Sequence, residues 1–437
     1  MIIPRKIVFL SGIFIPLALA LPYAPILYGV ISLMLALLAI VALFDLAKAV
    51  QLGRAMKLSV PEVVRCSQSR KGIINFQFDN TSPSPVYIDN FCHCLPLVLN
   101  AVNTADTIKL ASNSISTLPV ECCPETRGSF EYGNSIFEIR SPWGLWGFKA
   151  KIRPQGEIKV YPDVFTEQKK LASLFLNKGL SGLHLQRIAG QGREFERLRD
   201  YVPGDSFDII SWKATARKAR PVSKVFQIEN TQSIYAVIDA SRFSMVKKDG
   251  KSNLDHYLAS ALILGAVAQK QKDKFGIIVF DSKVRSFVPA MSGAIAAKNC
   301  RDAVYKVEAK CVSPDYNSLF SFIRAKIPQR SLLFFLTDLS DALPGEEFQR
   351  DIQLVTRKHL CCVEMLKHDD IEPLFSSPIE ENDELYTKLG GHMKWADLEN
   401  IKRSLSRHGV RLGTSGHESL SLNLVNAYLN IKRKQLL

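Results

Sequence analysis

Between Ile7 and Phe44 the chain carries no charged residue. So long an uncharged stretch is excluded from ordinary solvated surface, and Pro22-Tyr23-Ala24-Pro25 splits it into two apolar runs. The second, 26–44, is long enough to span a bilayer, which takes about 20 apolar residues. The first, 7–21, is shorter and contains Pro16. With Arg5-Lys6 before it and Ala18-Leu19-Ala20 near its end, it also has the form of a secretory signal with a small-residue cleavage site. A second apolar run with no polar gap suits a tight hairpin of two membrane helices better, and that hairpin is the expectation. Arg5 and Lys6 precede it, Lys48, Arg54 and Lys57 follow it, and the connecting loop has no charge. The positive-inside rule then puts both ends, and everything after about residue 50, in the cytoplasm, with Tyr23 and Tyr28 as anchors at the far interface.

Other absences narrow the chemistry. No Walker lysine follows a glycine loop, which excludes intrinsic nucleotide hydrolysis of that type. His184, His256 and His417 are isolated, with no Gly-x-Ser-x-Gly or Cys-His arrangement, so a nucleophile beside a base is missing. Evenly spaced cysteines are missing too. The nine present are odd in number and clustered as Cys92-His93-Cys94, Cys122-Cys123 and Cys361-Cys362, which points to a reducing compartment rather than a disulfide framework. Zinc at Cys92, His93, Cys94, Cys122 and Cys123 would need knuckle spacing that Cys-x-Cys does not provide. The formal charge is +14, without a helix-turn-helix, zinc-finger or RNA-recognition pattern to make a nucleic-acid surface of it. Basic residues after the hairpin and at Lys432-Arg433-Lys434 suit anionic lipid or a solvated surface.

A chain of 437 residues exceeds one compact core. Four segments are expected: a transmembrane hairpin with flanks over 1–57, a β-rich domain over 58–163, a charged segment over 164–231, and an α/β domain over 232–437. In 58–163, short β-type runs such as GIINFQF, VYIDNF and SIFEIR alternate with turns, and Ile74, Phe76 and Phe78 alternate with Asn75, Gln77 and Asp79 at the period of a half-buried strand. A small sandwich follows. Trp143 and Trp146 read as packing residues there. After Gln232 buried strands (SIYAVIDA, FGIIVFD, SLLFFLTD, LCCVEML, VRLGT) alternate with helical stretches, the pattern of a parallel sheet covered on both faces.

The densest information lies in GREFERLRDYVPGDSFDIISWKATARKARPVSKVFQIE, residues 192–229. Gly192, Glu194, Phe195, Arg199, Asp200, Tyr201, Gly204, Asp205, Ile210, Trp212, Ala216 and Arg217 fall in order on the signature of the DUF58 family, which the segment resembles. Ser141-Pro142, Gly144-Leu145-Trp146 and Val160-Tyr161-Pro162 match the lead-in to that signature. The resemblance implies a von Willebrand factor A-like, Rossmann-like domain, and a MoxR-type AAA+ ATPase as partner in a bacterial or archaeal maturation system. Glu194, Arg199, Asp200, Tyr201, Gly204, Asp205, Trp212 and Arg217 then carry one of two roles. Arg197, Arg199, Arg217 and Arg220 paired with Glu194, Glu196, Asp200, Asp205 and Asp208 would clamp an irregular segment, with Trp212 buried; otherwise the segment is a partner-binding surface.

Open parallel sheets bind ligands beyond the carboxyl ends of their strands, where Asp239 and Asp338 end two strands. Complete von Willebrand A domains hold a divalent metal there through Asp-x-Ser-x-Ser, a Thr and a later Asp. Here Asp239, Ser241 and Asp338 match, Phe243 takes the second serine position with Ser244 one residue late, and the position of the Thr falls within Ser313–Ser318, where no residue is assigned to it. Mg²⁺ is the cation such a degenerate oxygen set would take. Alternatively Asp239 caps a loop or pairs with Arg242 or a signature arginine. The reading reached is an inner-membrane, non-catalytic interaction module needing no cofactor. The alternatives are a metal-dependent or thiol enzyme, at Asp239 and Asp338 or at the Cys92 cluster, and a nucleic-acid binder.

Overall fold

The structure, a computed structural model, describes residues 2–4, 6, 12, 27–93, 95–102, 107–165, 169, 189–190, 194–227, 231–248, 250–368, 371–374 and 382–434. The chain divides into two compact units, Met1–Asp163 with Tyr305–Val307, and Val164–Val304 with Glu308–Leu437.

In the first unit, strand β1 (Ile2–Pro4) is followed among the described elements by helix α1 (Leu27–Ala55). Its Leu, Ala and Met content favours helix, and at 1.5 Å per residue it is about 43 Å long. It has two regimes. Leu33, Leu37, Ile40, Leu43 and Phe44 are exposed, whereas Ala42, Asp45, Ala49 and Leu52, spaced three and four apart, form a buried stripe at its foot. By length and composition 32–55 is apolar enough to cross a membrane, and it is the one such helix among the described residues. The expected first arm of the hairpin, 7–21, lies outside them.

Helix α1 runs directly into β2 (Met56–Ser59), followed by β3 (Val63–Ser67), β4 (Gly72–Asn80), β5 (Val86–Cys92), β6 (Thr107–Leu110), β7 (Ser114–Cys122), β8 (Gly128–Glu131), β9 (Ser135–Arg140), β10 (Trp146–Ile152) and β11 (Glu157–Tyr161). These form sheets ordered β1-β10-β9-β5-β6, β2-β4-β7 and β3-β11-β8. Strand β4 buries Ile74, Phe76 and Phe78 and exposes Asn75 and Gln77, as the alternation predicts. Phe78 meets Phe91 and Phe137 edge to face at 5.2 and 5.6 Å, a favoured aromatic geometry, and Leu52 and Met56 join the same core.

The second unit opens with the signature region: β12 (Ala189–Gly190), β13 (Glu194–Asp200), helix α2 (Trp212–Lys218) and β14 (Val222–Gln227), in the order β12-β14-β13. Then come β15 (Ser233–Asp239), β16 (Lys247–Lys248), β17 (Lys251–Ser252), α3 (Asn253–Lys270), β18 (Lys274–Phe280), β19 (Val284–Met291), α4 (Ala294–Val304), α5 (Tyr316–Lys326), β20 (Leu332–Leu336), α6 (Ala342–Asp351), α7 (Gln353–Thr356), β21 (Leu360–Leu366), α8 (Asn382–Arg407), β22 (Arg411–Ser415) and α9 (Leu420–Arg433). The main sheet is ordered β19-β18-β15-β20-β21-β22, or 3-2-1-4-5-6 in its own chain order, the doubly wound arrangement. Five strands are parallel; β19, absent from the sequence reading, adds an antiparallel edge. Tyr235 and Val237 face a core shared with residues of α5 to α8, and on the other face Gly265 of α3 lies where a Cβ would strike the Phe275 ring. A capping box of Ser252 and Asp255 starts α3. Lys432, expected to face anionic lipid or solvent, instead pairs with buried Asp273 at 2.6 Å and ties α9 to the turn after α3.

Candidate functional site

Strands β15 and β20 are neighbours with Ile238 opposite Leu336, so Asp239 and Thr337 leave the sheet side by side. The strand order reverses between them, the switch point where doubly wound sheets bind ligands. Asp239 is buried, and its Oδ1 accepts from the Ser241 amide at 2.8 Å and its Oδ2 from the Thr337 hydroxyl at 2.7 Å. Tyr316 Oη lies 3.0 Å from the same hydroxyl. Burial raises the Asp239 carboxyl from its ordinary 3.8 to about 6, against the pull of Thr337 and Ser241.

Asp338 takes the opposite course. Burial works to raise its carboxyl, but His368 Nε2 at 2.5 Å from Oδ2 and the Ser340 amide at 2.9 Å from Oδ1 hold it below the ordinary range. Ser244 turns away from the carboxylates and donates to the Asp239 carbonyl at 2.6 Å, closing the loop. Arg242 stacks over the Phe243 ring at 4.7 Å and pairs with Asp341 at 3.1 Å. Of the open alternatives for Asp239, loop capping is therefore the observed one, and Arg242 pairs elsewhere.

These groups do not compose a hard-cation site. Ser241 Oγ is buried and makes no hydrogen bond of standard geometry, which suits a ligand. Phe243 supplies no oxygen, Ser244 is spent on the backbone, and His368 engages Oδ2 of Asp338. Among the described residues no group of three His, Cys, Asp or Glu could hold a metal. Cys92 is exposed on β5, while Cys122 is buried on β7 of another sheet beside Cys66, the two sulfurs flanking Gly72. Cys94 lies outside the described residues. Sequence reasoning missed two members of the edge. Thr337 was legible as the residue before Asp338, and His368 as a polar residue just past the end of a buried strand.

The signature is organised around Asp205. Arg199 Nη2 at 2.6 Å donates to one carboxylate oxygen, and the Val202 amide and Ser223 hydroxyl, at 3.3 and 3.0 Å, to the other. Against partial burial, these donors hold the carboxyl below its ordinary range. Gly204, at φ +108°, makes the turn that aims Asp205 back at β13 and β14, a conformation that strains any L residue. The Tyr201 amide donates to the Pro221 carbonyl, and Arg220 pairs with Asp200 at 3.1 Å. Glu194 pairs in register with Gln227; its side chain, like all of Gly192, is outside the described residues.

Trp212 corrects the sequence reading. It is 69% exposed at the start of α2, with Phe207 at 74% and Val202 at 50%, and Lys213, Arg217 and Arg220 are exposed as well. The ion pairs secure the backbone without help from the aromatic residues, which stand in solvent because α2 lays only its Thr215 face on β14, where Thr215 Oγ1 accepts from the Val222 amide.

No curated protein is similar to this sequence. Among solved structures, the SpRpn10 VWA domain has 8% identity and TM-score 0.30, covering 45% of this chain and 95% of its own. BatB from Bacteroides thetaiotaomicron has 15% identity and TM-score 0.32, covering 46% and 99%. An aerotolerance-related membrane protein from Bacteroides fragilis has 16% identity and TM-score 0.29, covering 46% and 98%. The family model described as "Protein of unknown function DUF58" matches residues 197–374, from the middle of β13 to the loop before α8. Over those residues the chain is similar to the DUF58 family.

Proposed function

We propose that this DUF58-like protein is a membrane-anchored, non-catalytic interaction module whose α/β unit, von Willebrand A-like in character, binds its partner through the signature. The observation that carries the reading is the exposed trio Val202, Phe207 and Trp212 on a backbone fixed by Asp205. Rigid, exposed aromatics beside arginines are the composition of binding hot spots. The partner expected from the family resemblance is a MoxR-type AAA+ ATPase, in a bacterial system that matures or assembles other proteins. Pull-down from native membranes with the full chain and with Trp212→Ala tests this. The ATPase should accompany the wild type and be lost from the variant; its absence from both overturns the partner assignment.

Two membrane spans and a cytoplasmic bulk fit the first unit. Strand β1 pairs with β10, Ile3 opposite Gly147, and the foot of α1 is buried in the same unit. Pro4 and the foot of α1, on either side of the long apolar stretch, therefore belong to one unit. An out-and-back path returns both ends to one side. A reporter active only in the cytoplasm, fused after Leu437, should be active, and the chain should resist carbonate extraction. Cleavage after Ala20 in the mature protein overturns the hairpin.

A further inference from the structure

The foot of α1 is held by the turn between β9 and β10 in a way that leaves one large aromatic unused. Asp45, the first charged residue of the helix, is buried, and its carboxylate accepts the Trp143 and Leu145 amides at 3.1 and 3.3 Å. The Trp146 indole donates to the Ala42 carbonyl at 2.8 Å. Ser141 closes the turn by accepting the Trp146 amide at 3.0 Å, and Gly144 takes φ +73° within it. Helix and turn are thus one rigid piece. Trp143 is 54% exposed, its ring 5.9 Å from the exposed Phe44 ring, and no hydrogen bond among the described residues reaches its indole N–H.

Depth and charge both specify what lies outside this turn. From Leu27 to Phe44 the helix rises about 26 Å, close to the hydrocarbon thickness of a bilayer, so Phe44 and Trp143 fall at its boundary. Tryptophan, apolar with one donor, prefers that layer. Two cations share the level. Lys48 Nζ is 5.9 Å from the Phe44 centroid, and the end of the Lys6 side chain lies about 4 Å from where a Gly144 Cβ would be. Basic groups there favour anionic lipid.

We infer that the Ser141–Trp146 turn is a membrane-surface contact, with Trp143 seated in the headgroup layer and Lys6 and Lys48 against the phosphates of anionic phospholipid. This contact sets the depth and tilt of the whole β unit, and it rests on the reading of α1 as a membrane anchor. The test uses the full chain in phosphatidylglycerol vesicles whose acyl chains are brominated near the headgroup. Wild-type tryptophan fluorescence should be quenched, and Trp143→Phe, which preserves contact with Phe44, should lose most of that quenching at unchanged melting temperature. Lys6→Gln with Lys48→Gln should reduce quenching in phosphatidylglycerol to the level seen in phosphatidylcholine. Equal quenching of wild type and Trp143→Phe overturns the contact, as does an unquenched wild type that still resists carbonate extraction. Release of the chain by carbonate instead removes the anchor itself, and this contact with it.

Discussion

His368 Nε2 lies 2.5 Å from Asp338 Oδ2, so an imidazole from beyond β21 engages a carboxylate that follows β20. The neighbouring carboxylate, Asp239, is occupied on both oxygens by Ser241 and Thr337. Protein groups engage all four carboxylate oxygens of this pair, which leaves the buried Ser241 hydroxyl as an oxygen without a hydrogen-bond partner among the described residues. Millimolar Mg²⁺ or Mn²⁺ should therefore leave the melting temperature of the wild type unchanged, because a ligand that binds the native state must raise its stability. Saturable stabilisation by Mg²⁺, abolished in Asp338→Ala, is the result that contradicts this arrangement.

Removing the imidazole should be costly. His368→Ala leaves Asp338 buried with the Ser340 amide still donating to it, and the loss should be on the order of 1–3 kcal/mol. The Asp338 carboxyl should also rise toward the ordinary range. Because Asp338 is held below that range in the folded state, its contribution to stability is present at neutral pH and is lost as pH falls below about 4. Urea melts of wild type and variant should converge in that acid window.

Asp239 predicts the reverse slope. Its folded carboxyl is raised from 3.8 to about 6, so the folded state keeps a proton that the unfolded chain has released. Stability from this group is full below the unfolded value and declines as pH rises through about 6. Asp239→Asn, which mimics the protonated acid, should match the wild type near pH 3.5. Its advantage should grow between about pH 4 and 6 and then level off. A difference that is flat across this range refutes the assignment.

Within the signature, Asp205 and Trp212 should separate cleanly. Asp205→Ala strips Arg199, Val202 and Ser223 of their common acceptor and should lower the melting temperature. Trp212→Ala removes an exposed ring and should change stability by less than about 0.5 kcal/mol while abolishing partner capture. A Trp212→Ala protein several kcal/mol less stable would restore the clamp reading.

The sequence alone determined whatever depends on local periodicity. Alternation in Ile74–Phe78 specified a half-buried strand, continuous apolar runs such as SLLFFL specified buried parallel strands, and 26–44 specified a helix that no aqueous surface would accept. The two edge carboxylates were legible because each follows a buried strand. Tertiary structure decided the rest, since it turns on which faces meet. Trp212 reads as core by its type and is exposed because α2 is short and rests on β14 through Thr215. Asp45 reads as the end of a membrane helix, yet it is a buried acceptor for a turn almost a hundred residues away. Thr337 and His368 are marked in the sequence only as polar residues at or past the ends of buried strands; which carboxylate each meets is decided by the parallel pairing of β15, β20 and β21, which brings three strand ends to one edge. Hydrogen bonds between groups far apart in the chain have no periodicity to betray them, and such bonds join Thr337 to Asp239 and His368 to Asp338 at this edge.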